Sequence, residues 1–270
     1  MIYIALYGED VMIKLINLTK MYKGLRAVDH INLEVEKGRL FGFLGPNGAG
    51  KTTTLKMMAG VMKPTEGQII INGMDIARHP AEVKQCTGFI PDHPFLYEKL
   101  TGIEFLRFVG GLYGLDHSPA LNGRISELLE LFELNHWGEE MIESYSHGMK
   151  QRMVMCAAFL HNPEVLIVDE PMVGLDPKGS RMVKDIFKAE AEKGTTIFMS
   201  THSLEVAQEV CHRIAIIQAG RIIATGTAEE LGSKAGVDGN LEKVFLKLTE
   251  GKRIAHERSY ASPEAQDTEF

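Results

Sequence analysis

The sequence has no long apolar run, no paired cysteine spacing and no excess of basic residues. None of its apolar stretches approaches the roughly 20 residues that a membrane-spanning helix needs. We therefore expect a protein that is soluble, or that reaches a membrane only through a partner. The three cysteines, Cys86, Cys156 and Cys211, are isolated, which indicates small buried residues in a reducing compartment rather than a disulfide framework or a metal site.

The charge balance argues against one class of partner. The formal net charge is −7, with 44% hydrophobic and 24% charged residues, a composition typical of a globular protein with a real core. Because proteins that bind nucleic acid through general basicity carry a positive excess, nucleic acid is not an expected partner. The apolar start MIYIALYGEDVM lacks a basic segment, so it is not a secretion signal. Residues 1–11 are either an edge strand or an extension.

Two kinds of apolar pattern predict an α/β fold. IKLINLT and HINLEVE alternate as a half-buried antiparallel sheet does, and Asn72-Gly73 in EGQIIINGMDI predicts a hairpin. VLIVDE and TTIFMSTH are continuous apolar runs, typical of parallel strands covered on both faces. A helix is predicted near Gly179 to Lys193, and two further strands in RIAIIQAGRIIATG. The prediction is a mainly parallel central sheet with an antiparallel β subdomain and an α-helical subdomain inserted at about residues 92–163.

The segment FGFLGPNGAGKTTTLKMMAG is rich in glycine just before Lys51. Its glycines leave N–H groups uncovered, and a helix that follows points its positive end at the same place. The segment fits the nucleotide-binding P-loop pattern at every fixed position, with the strand before it and the helix after it that this pattern requires. The alternative is a glycine-rich turn that happens to hold Lys-Thr. The predicted phosphate-binding residues are Gly45, Pro46, Asn47, Gly48, Ala49, Gly50, Lys51, Thr52 and Thr53.

Two acidic residues complete the predicted chemistry. In a P-loop, Lys51 would reach the β- and γ-phosphates and the Thr52 hydroxyl would ligate Mg²⁺. Asp169, at the end of the strand VLIV, would hold Mg²⁺ directly or through water, and Glu170 would accept a proton from the attacking water or orient it. An Asp-Glu pair after a strand is common, but in one chain with a P-loop it indicates ATP hydrolysis.

The segment ESYSHGMKQRMVMCAAFLHNPE carries a family resemblance. Ser146 to Arg152 resembles the signature loop of ATP-binding cassette (ABC) ATPases, and VLIVDEPMVGLDP follows at the expected separation. GFIPDHP resembles the loop that couples nucleotide to the membrane subunits, GLDP the dimer-contact D-loop, and STHSLEVA the segment with the switch histidine. The resemblance covers roughly Met12 to Thr227 and implies a P-loop NTPase fold with a RecA-like core.

The resemblance also implies roles for individual residues. Tyr22 would stack on adenine, Ser146 and Gly148 would contact the nucleotide of a facing cassette, and Asp176 would lie at the dimer contact. The simpler alternatives are a packing tyrosine, a helix N-cap and an ordinary turn aspartate. His202, otherwise a surface or core histidine, would contact the γ-phosphate. The implied catalytic residues are Glu170, His202 and Lys51, and the implied Mg²⁺ ligands are Thr52, Asp169 and Asp92.

The motifs depart from the family pattern at two places. Asp92 stands where the coupling loop usually carries Gln, and the signature reads Tyr145-Ser146-His147-Gly148-Met149 in place of Leu-Ser-Gly-Gly-Gln. Similar variants resemble the cassettes of exporters whose cassette and membrane domains are separate chains. The departures therefore indicate a subgroup that keeps its activity.

The implied function is that of the ATP-binding and ATP-hydrolysing subunit of an ABC transporter, an exporter by this resemblance. Its partners would be a separate transmembrane permease subunit and a second cassette, identical or different, at the cytoplasmic face of the cell membrane. The predicted domains are an ABC ATPase over 12–227, a short helical extension over 228–250 and a disordered tail over 251–270. The alternatives are a soluble ABC ATPase of translation, repair or cluster assembly, and an inactive regulatory cassette, which the presence of Lys51, Asp169, Glu170 and His202 disfavours.

Overall fold

The computed structural model describes residues 10–115, 120–236 and 241–247, and ten strands and eight α-helices lie within residues 10–236. In chain order they are β1 Val11–Tyr22, β2 Leu25–Glu36, β3 Leu40–Leu44, α1 Lys51–Met58, β4 Glu66–Ile71, β5 Met74–Asp75, α2 Pro80–Gln85, β6 Thr87–Ile90, α3 Gly102–Leu112, α4 Ala120–Leu131, α5 His147–Phe159, β7 Val165–Asp169, α6 Pro177–Glu192, β8 Thr196–Thr201, α7 Leu204–Val210, β9 Arg213–Gln218, β10 Arg221–Gly226 and α8 Ala228–Ala235. Residues 241–247 are also helical. The predicted tail and residues 1–9 lie outside the described residues.

The first sheet is antiparallel, with strand order β2-β1-β4-β5. Along β2, Ile31, Leu33 and Val35 are buried while the residues between them are exposed, as the period of a half-buried strand requires. Asn72 and Gly73 join β4 to β5 with φ angles of 50° and 72°, the left-handed conformations that a tight hairpin turn needs. The predicted antiparallel sheet and its hairpin are confirmed.

The second sheet has strand order β10-β9-β3-β8-β7-β6 and is parallel from β9 to β6, with β10 antiparallel to β9. Every residue of β3, β7 and β8 is buried. In β7, Val165 and Ile167 pack in the core shared with the antiparallel sheet, while Leu166 and Val168 pack in the core shared with the helices. Because both faces are covered, the strand is apolar at successive positions. The predicted mainly parallel sheet is confirmed.

Helices α3, α4 and α5 lie between β6 and β7 in the chain and pack against one another. Regular helix begins at Gly102 rather than near Asp92, because Thr101 forms a capping box with Glu104 that fixes the start of α3. Helix α6 begins at Pro177, two residues before the predicted start, because Asp176 caps it. The described cysteines are free, with Cys156 buried and the other two half-buried. Within the described ranges, no helix is both long and apolar enough to span a bilayer.

Candidate functional site

Three glycines shape the loop between β3 and α1, and their surroundings differ. A Cβ on Gly45 would overlap the Ile217 carbonyl oxygen, and one on Gly50 would overlap the Ala27 carbonyl oxygen. Gly50 also has φ 105°, a conformation that favours glycine. Gly48 has φ 77°, and a Cβ on it would have no neighbouring atom within 4 Å. The loop is therefore packed closely against β9 at Gly45 and against β2 at Gly50, and it is open at Gly48.

Lys51 turns back over this loop. Its side chain is 5% exposed, and Nζ donates hydrogen bonds to the carbonyl oxygens of Gly45 (2.7 Å) and Pro46 (3.3 Å). Thr54 N–H donates to Gly50 O within the first turn of α1, so the N–H groups just before it are the unpaired donors that begin any helix. A fixed ammonium and the positive end of a helix thus face the same small volume, which is an arrangement suited to anions.

Asp169 ends β7 and lies opposite Ser200 of β8. The Ser200 hydroxyl donates to Oδ1, whereas Oδ2 is buried and accepts no hydrogen bond from the residues that the structure describes. Burial raises the pKa of Asp169, the Ser200 and Thr52 hydroxyls lower it, and the nearby charges of Asp92 and Glu170 raise it further. A buried carboxylate with a free oxygen and other carboxylates close by is suited to a hard divalent cation.

Glu170 is held between two basic side chains. Its Oε1 lies 3.4 Å from Lys51 Nζ, and its Oε2 lies 2.9 Å from His202 Nδ1 and accepts from His202 N–H at 3.3 Å. Its own N–H donates to Ser200 O and Ser200 Oγ, both at 3.2 Å. Glu170 has φ 49°, a conformation that costs a non-glycine residue about 1–2 kcal/mol. The fold thus brings the three predicted catalytic residues together at the carboxyl ends of adjacent strands.

Ser146 and Gly148 lie at the start of α5. The Ser146 hydroxyl accepts from Met149 N–H at 3.3 Å and caps the helix, and a Cβ on Gly148 would lie 3.2 Å from Gly174 O. Asp176 accepts from Gly179 N–H at 2.9 Å and caps α6. These contacts explain the local structure, and the predicted roles of the three residues toward a nucleotide stay predictions.

Asp92 and Tyr22 lie at the edges of the site. Asp92 accepts from His93 N–H at 3.0 Å, and its Oδ2 lies 3.0 Å from His93 Nδ1. The Tyr22 hydroxyl lies 2.8 Å from the Met62 sulphur, and its ring is 42% exposed at the end of β1. Lys20 Nζ lies over the Tyr22 ring, 5.4 Å from its centroid. The predicted roles of both residues stay predictions.

Ser200 was not among the residues predicted from the sequence. Its hydroxyl donates to Asp169 and accepts from Glu170 N–H, so one side chain fixes both acidic residues. A signal was present, because Ser200 follows the apolar residues Ile197, Phe198 and Met199 in the strand TIFMST, and every residue of that strand is buried. A buried polar side chain requires hydrogen-bond partners, and strand alignment supplies them here.

A second unpredicted group braces the P-loop from outside. Gly220 N–H donates to Ala49 O at 2.9 Å, and Asp29 N–H donates to Gly220 O at 2.9 Å. The Asp29 carboxylate, 7% exposed, is bound by Arg221 at 2.5 Å and by Arg26 at 3.2 Å. These contacts tie β2 and the β9–β10 turn to the loop. The sequence carried no signal for the two backbone hydrogen bonds, because carbonyl and N–H groups belong to every residue type, and no spacing pattern linked Asp29 to Arg221.

Comparison with protein families and curated proteins gives a consistent result. A family model described as "ABC transporter" matches residues 28–173, more than half of the chain. The linearmycin resistance ATP-binding protein LnrL of Bacillus subtilis (strain 168) is 38% identical over 244 residues, which are 90% of this chain and 78% of LnrL. The daunorubicin resistance ATP-binding protein DrrA3 of Streptomyces coeruleorubidus is 38% identical over 229 residues, which are 85% of this chain and 72% of DrrA3.

Solved structures agree with this assignment. A structure described as the ATP-binding subunit of an ABC transporter superposes with a TM-score of 0.83 at 33% identity, over 88% of this chain and 99% of the other. The dimeric, post-hydrolysis cassette MJ0796 bound to ADP and Pi superposes with a TM-score of 0.74 at 27% identity, over 80% and 98%. The P-loop, the Asp-Glu pair and the histidine contact thus occur in a chain that belongs to the ABC transporter family, as one of its ATP-binding, ATP-hydrolysing cassettes.

Proposed function

We propose that this cassette powers an exporter by binding and hydrolysing Mg²⁺-ATP at the site built around Lys51 and Glu170. The observation that carries the proposal is the position of Glu170, between Lys51 Nζ and His202 Nδ1 and beside the buried Asp169. The relatives named above are a linearmycin resistance protein and a daunorubicin resistance protein, and a third is a bacitracin transport protein. These names, two of resistance proteins and one of a transport protein, support a role in export.

The P-loop residues bind the phosphate chain. The N–H groups of Gly48, Gly50 and Thr52 supply donors, and Thr53 adds an N–H or a hydroxyl at the helix start. Lys51 Nζ exchanges the carbonyl oxygens of Gly45 and Pro46 for phosphate oxygens. Because its side chain is already buried and fixed, little side-chain entropy is lost on binding.

Glu170 acts on the attacking water. Oε1 or Oε2 accepts a hydrogen bond from the water and orients its oxygen toward the γ-phosphorus, or takes its proton. His202 holds the carboxylate by two contacts, through Nδ1 and N–H, and its exposed ring is placed to contact the γ-phosphate. The work of the site is positioning and charge stabilisation, which dominate phosphoryl transfer.

A divalent cation fits the residues present. The free, buried Oδ2 of Asp169 supports this assignment, and Thr52 Oγ1 and Asp92 would add oxygen ligands. When bound, Mg²⁺ neutralises charge on the phosphate oxygens. Ser200 holds Asp169 Oδ1, which would leave Oδ2 available to a cation.

A second cassette completes the site. Ser146 and Gly148 are at the start of α5, where the positive end of the helix suits a γ-phosphate from a facing chain. Asp176 lies at the same interface, and Tyr22 stacks on the adenine. A related cassette, MJ0796, has been solved as a dimer, which supports this arrangement for either two identical or two different cassettes.

A transmembrane partner docks on the cleft between the parallel sheet and the inserted helices. This cleft is a groove of about 360 Å³ lined mainly by apolar side chains, among them Phe89, Phe95, Val109 and Leu112. Phe95 is 82% exposed, and Tyr97, whose ring lies 6.3 Å from it, is 51% exposed; neighbouring exposed apolar side chains of this kind are typical of an interaction surface. The cassette then sits at the cytoplasmic face of the membrane.

The E170Q variant tests the proposal. Glutamine keeps the shape of the side chain but loses the charge that orients or deprotonates water, so we expect phosphate release to fall by about 100-fold. ATP binding should be retained, and the variant should accumulate as an ATP-bound dimer. Phosphate-release kinetics and size-exclusion chromatography with ATP measure both effects.

Glu192→Gln is the matched control, because Glu192 is an exposed carboxylate at the end of α6 with no predicted role. It should hydrolyse ATP like the unmodified chain. Fast turnover by E170Q would remove Glu170 from the reaction. Loss of turnover in both variants would mean that the assay reports a general effect of charge.

A further inference from the structure

His147 packs on the loop that carries Glu170. A side chain on Gly174 would place its Cβ closer than 3.0 Å to two atoms of the His147 ring, Cδ2 and Nε2. Gly174 has φ 79°, so its conformation also favours glycine. The ring of the unusual signature residue therefore occupies the space that any side chain at position 174 would need.

The backbone next to His147 makes a second contact with the same loop. A Cβ on Gly148 would lie 3.2 Å from Gly174 O and 3.7 Å from Leu175 Cδ2. At the start of α5, the His147 side chain and the Gly148 backbone thus both lie against Gly174, which is itself exposed.

Gly174 is connected to Glu170 by a short hydrogen-bonded turn. Val173 N–H donates to Glu170 O at 3.2 Å, and Leu175 N–H donates to Met172 O at 3.3 Å. Asp176 closes the far end by capping α6. A shift of Gly174 would be passed on over four residues to Glu170, whose left-handed backbone is already strained.

We propose that His147 is a positioning residue for ATP hydrolysis, which holds Gly174 and thereby sets the place of Glu170. The proposal rests on the function proposed above. His147 need not touch the nucleotide for this role, since it acts through the turn from Glu170 to Asp176. It also predicts that substitutions at residues 147 and 174 are coupled, because the His147 ring lies where a Cβ at position 174 would be placed.

The test is steric complementation in the full-length chain with Mg²⁺-ATP. We expect G174A to lower kcat by about 100-fold, because it displaces the turn, and H147A to lower it by about tenfold, because it only loosens it. Removing the ring creates room for the methyl group, so the double variant H147G/G174A should recover to the level of H147A. Binding of a fluorescent ATP analogue to Lys51 and the P-loop should stay within about twofold in all of them, because only the geometry of hydrolysis changes.

Gly114→Ala is the matched control. Gly114 has φ 72°, with nothing within 4 Å of a Cβ, so the variant carries the same left-handed strain without a clash. It should keep full turnover. The melting temperatures of G114A and G174A should be compared. The loss in G114A reports the backbone strain alone, and any further loss in G174A reports the clash with His147.

Two outcomes would overturn the inference: unchanged kcat in H147A, or a double variant no faster than G174A. If G174A fails to fold, H147A and the double variant still decide the matter. Inclusion of E170Q separates the two proposals. An inactive E170Q beside a fully active H147A removes only the role of His147, whereas an active E170Q removes the proposed site itself.

Discussion

The phosphate-binding end of the parallel sheet and the start of α5 are two different kinds of site. At the sheet, Lys51 is 5% and Asp169 1% exposed, and Glu170 already contacts both Lys51 and His202. At α5, Ser146 and His147 are exposed, and the Ser146 hydroxyl serves its own helix. The residues at the sheet contact one another within a single chain, whereas the residues at the start of α5 face solvent. The difference separates nucleotide binding, which one chain can perform, from hydrolysis, which we expect to need a second surface.

The largest expected effect is at the sheet. Lys51→Ala removes the buried ammonium, and we expect affinity for ATP to fall by about 100-fold, because charge-assisted contacts to phosphate are lost. Titration with a fluorescent ATP analogue measures the loss. Lys56→Ala, in the last turn of α1, removes the same charge from the same helix and should bind ATP normally. Unaltered binding by Lys51→Ala would contradict the P-loop assignment.

A smaller effect is expected at α5, and it separates capping from nucleotide contact. Ser146→Asp keeps a good N-cap and favours the helix dipole, so the thermal stability should not fall. The added charge would oppose a γ-phosphate, and we expect turnover to fall by about tenfold with ATP binding to single chains unchanged. Thr101→Asp places the same charge at the start of α3 and should leave turnover intact. Equal turnover in the two variants would mean that Ser146 is a cap and nothing more.

The smallest effect is at the outer brace of the P-loop. The hydrogen bond with His30, with help from Arg221 and Arg26, outweighs burial and holds the pKa of Asp29 below its usual value. A lowered pKa stabilises the fold above about pH 4, where the unfolded chain is also ionised, and this contribution is lost as the pH falls through the native pKa.

Asp29→Asn should therefore lower the free energy of unfolding by about 1 kcal/mol at pH 7, and the difference should shrink below about pH 4. Urea denaturation of both proteins across this range measures it. Glu192→Gln, which changes an exposed carboxylate at the end of α6, is the control. A difference that does not change with pH would show that the charge of Asp29 is not what matters.

The sequence predicted the parts of the site that depend on local pattern. The glycines around Lys51 and the Asp-Glu pair after an apolar strand are local features, and strand order places their ends together. The burial of both faces of β7 was likewise readable, because a strand covered on both faces must be apolar at successive positions.

The rest depended on contacts between distant residues. Ser200 meets Asp169 across 31 positions, and Arg221 meets Asp29 across 192, with no periodic pattern to link them. The pairing of His147 with Gly174 was also hidden, because each residue is ordinary until the two are seen in contact. The observed starts of α3 and α6 differ from the predicted ones because Thr101 and Asp176 cap these helices, and the hydrogen bonds of their side chains fix the first turn.

The left-handed backbone at Glu170 sets two preferences of the fold against each other. Asn and Gly tolerate this conformation better than Glu does, so either residue would relieve backbone strain at this position. Either would also remove the carboxylate that faces the buried Lys51 ammonium, and a buried charge without its counter-charge is costly. Glutamate at this position is therefore a compromise between the preference of the backbone and the counter-charge that Lys51 requires.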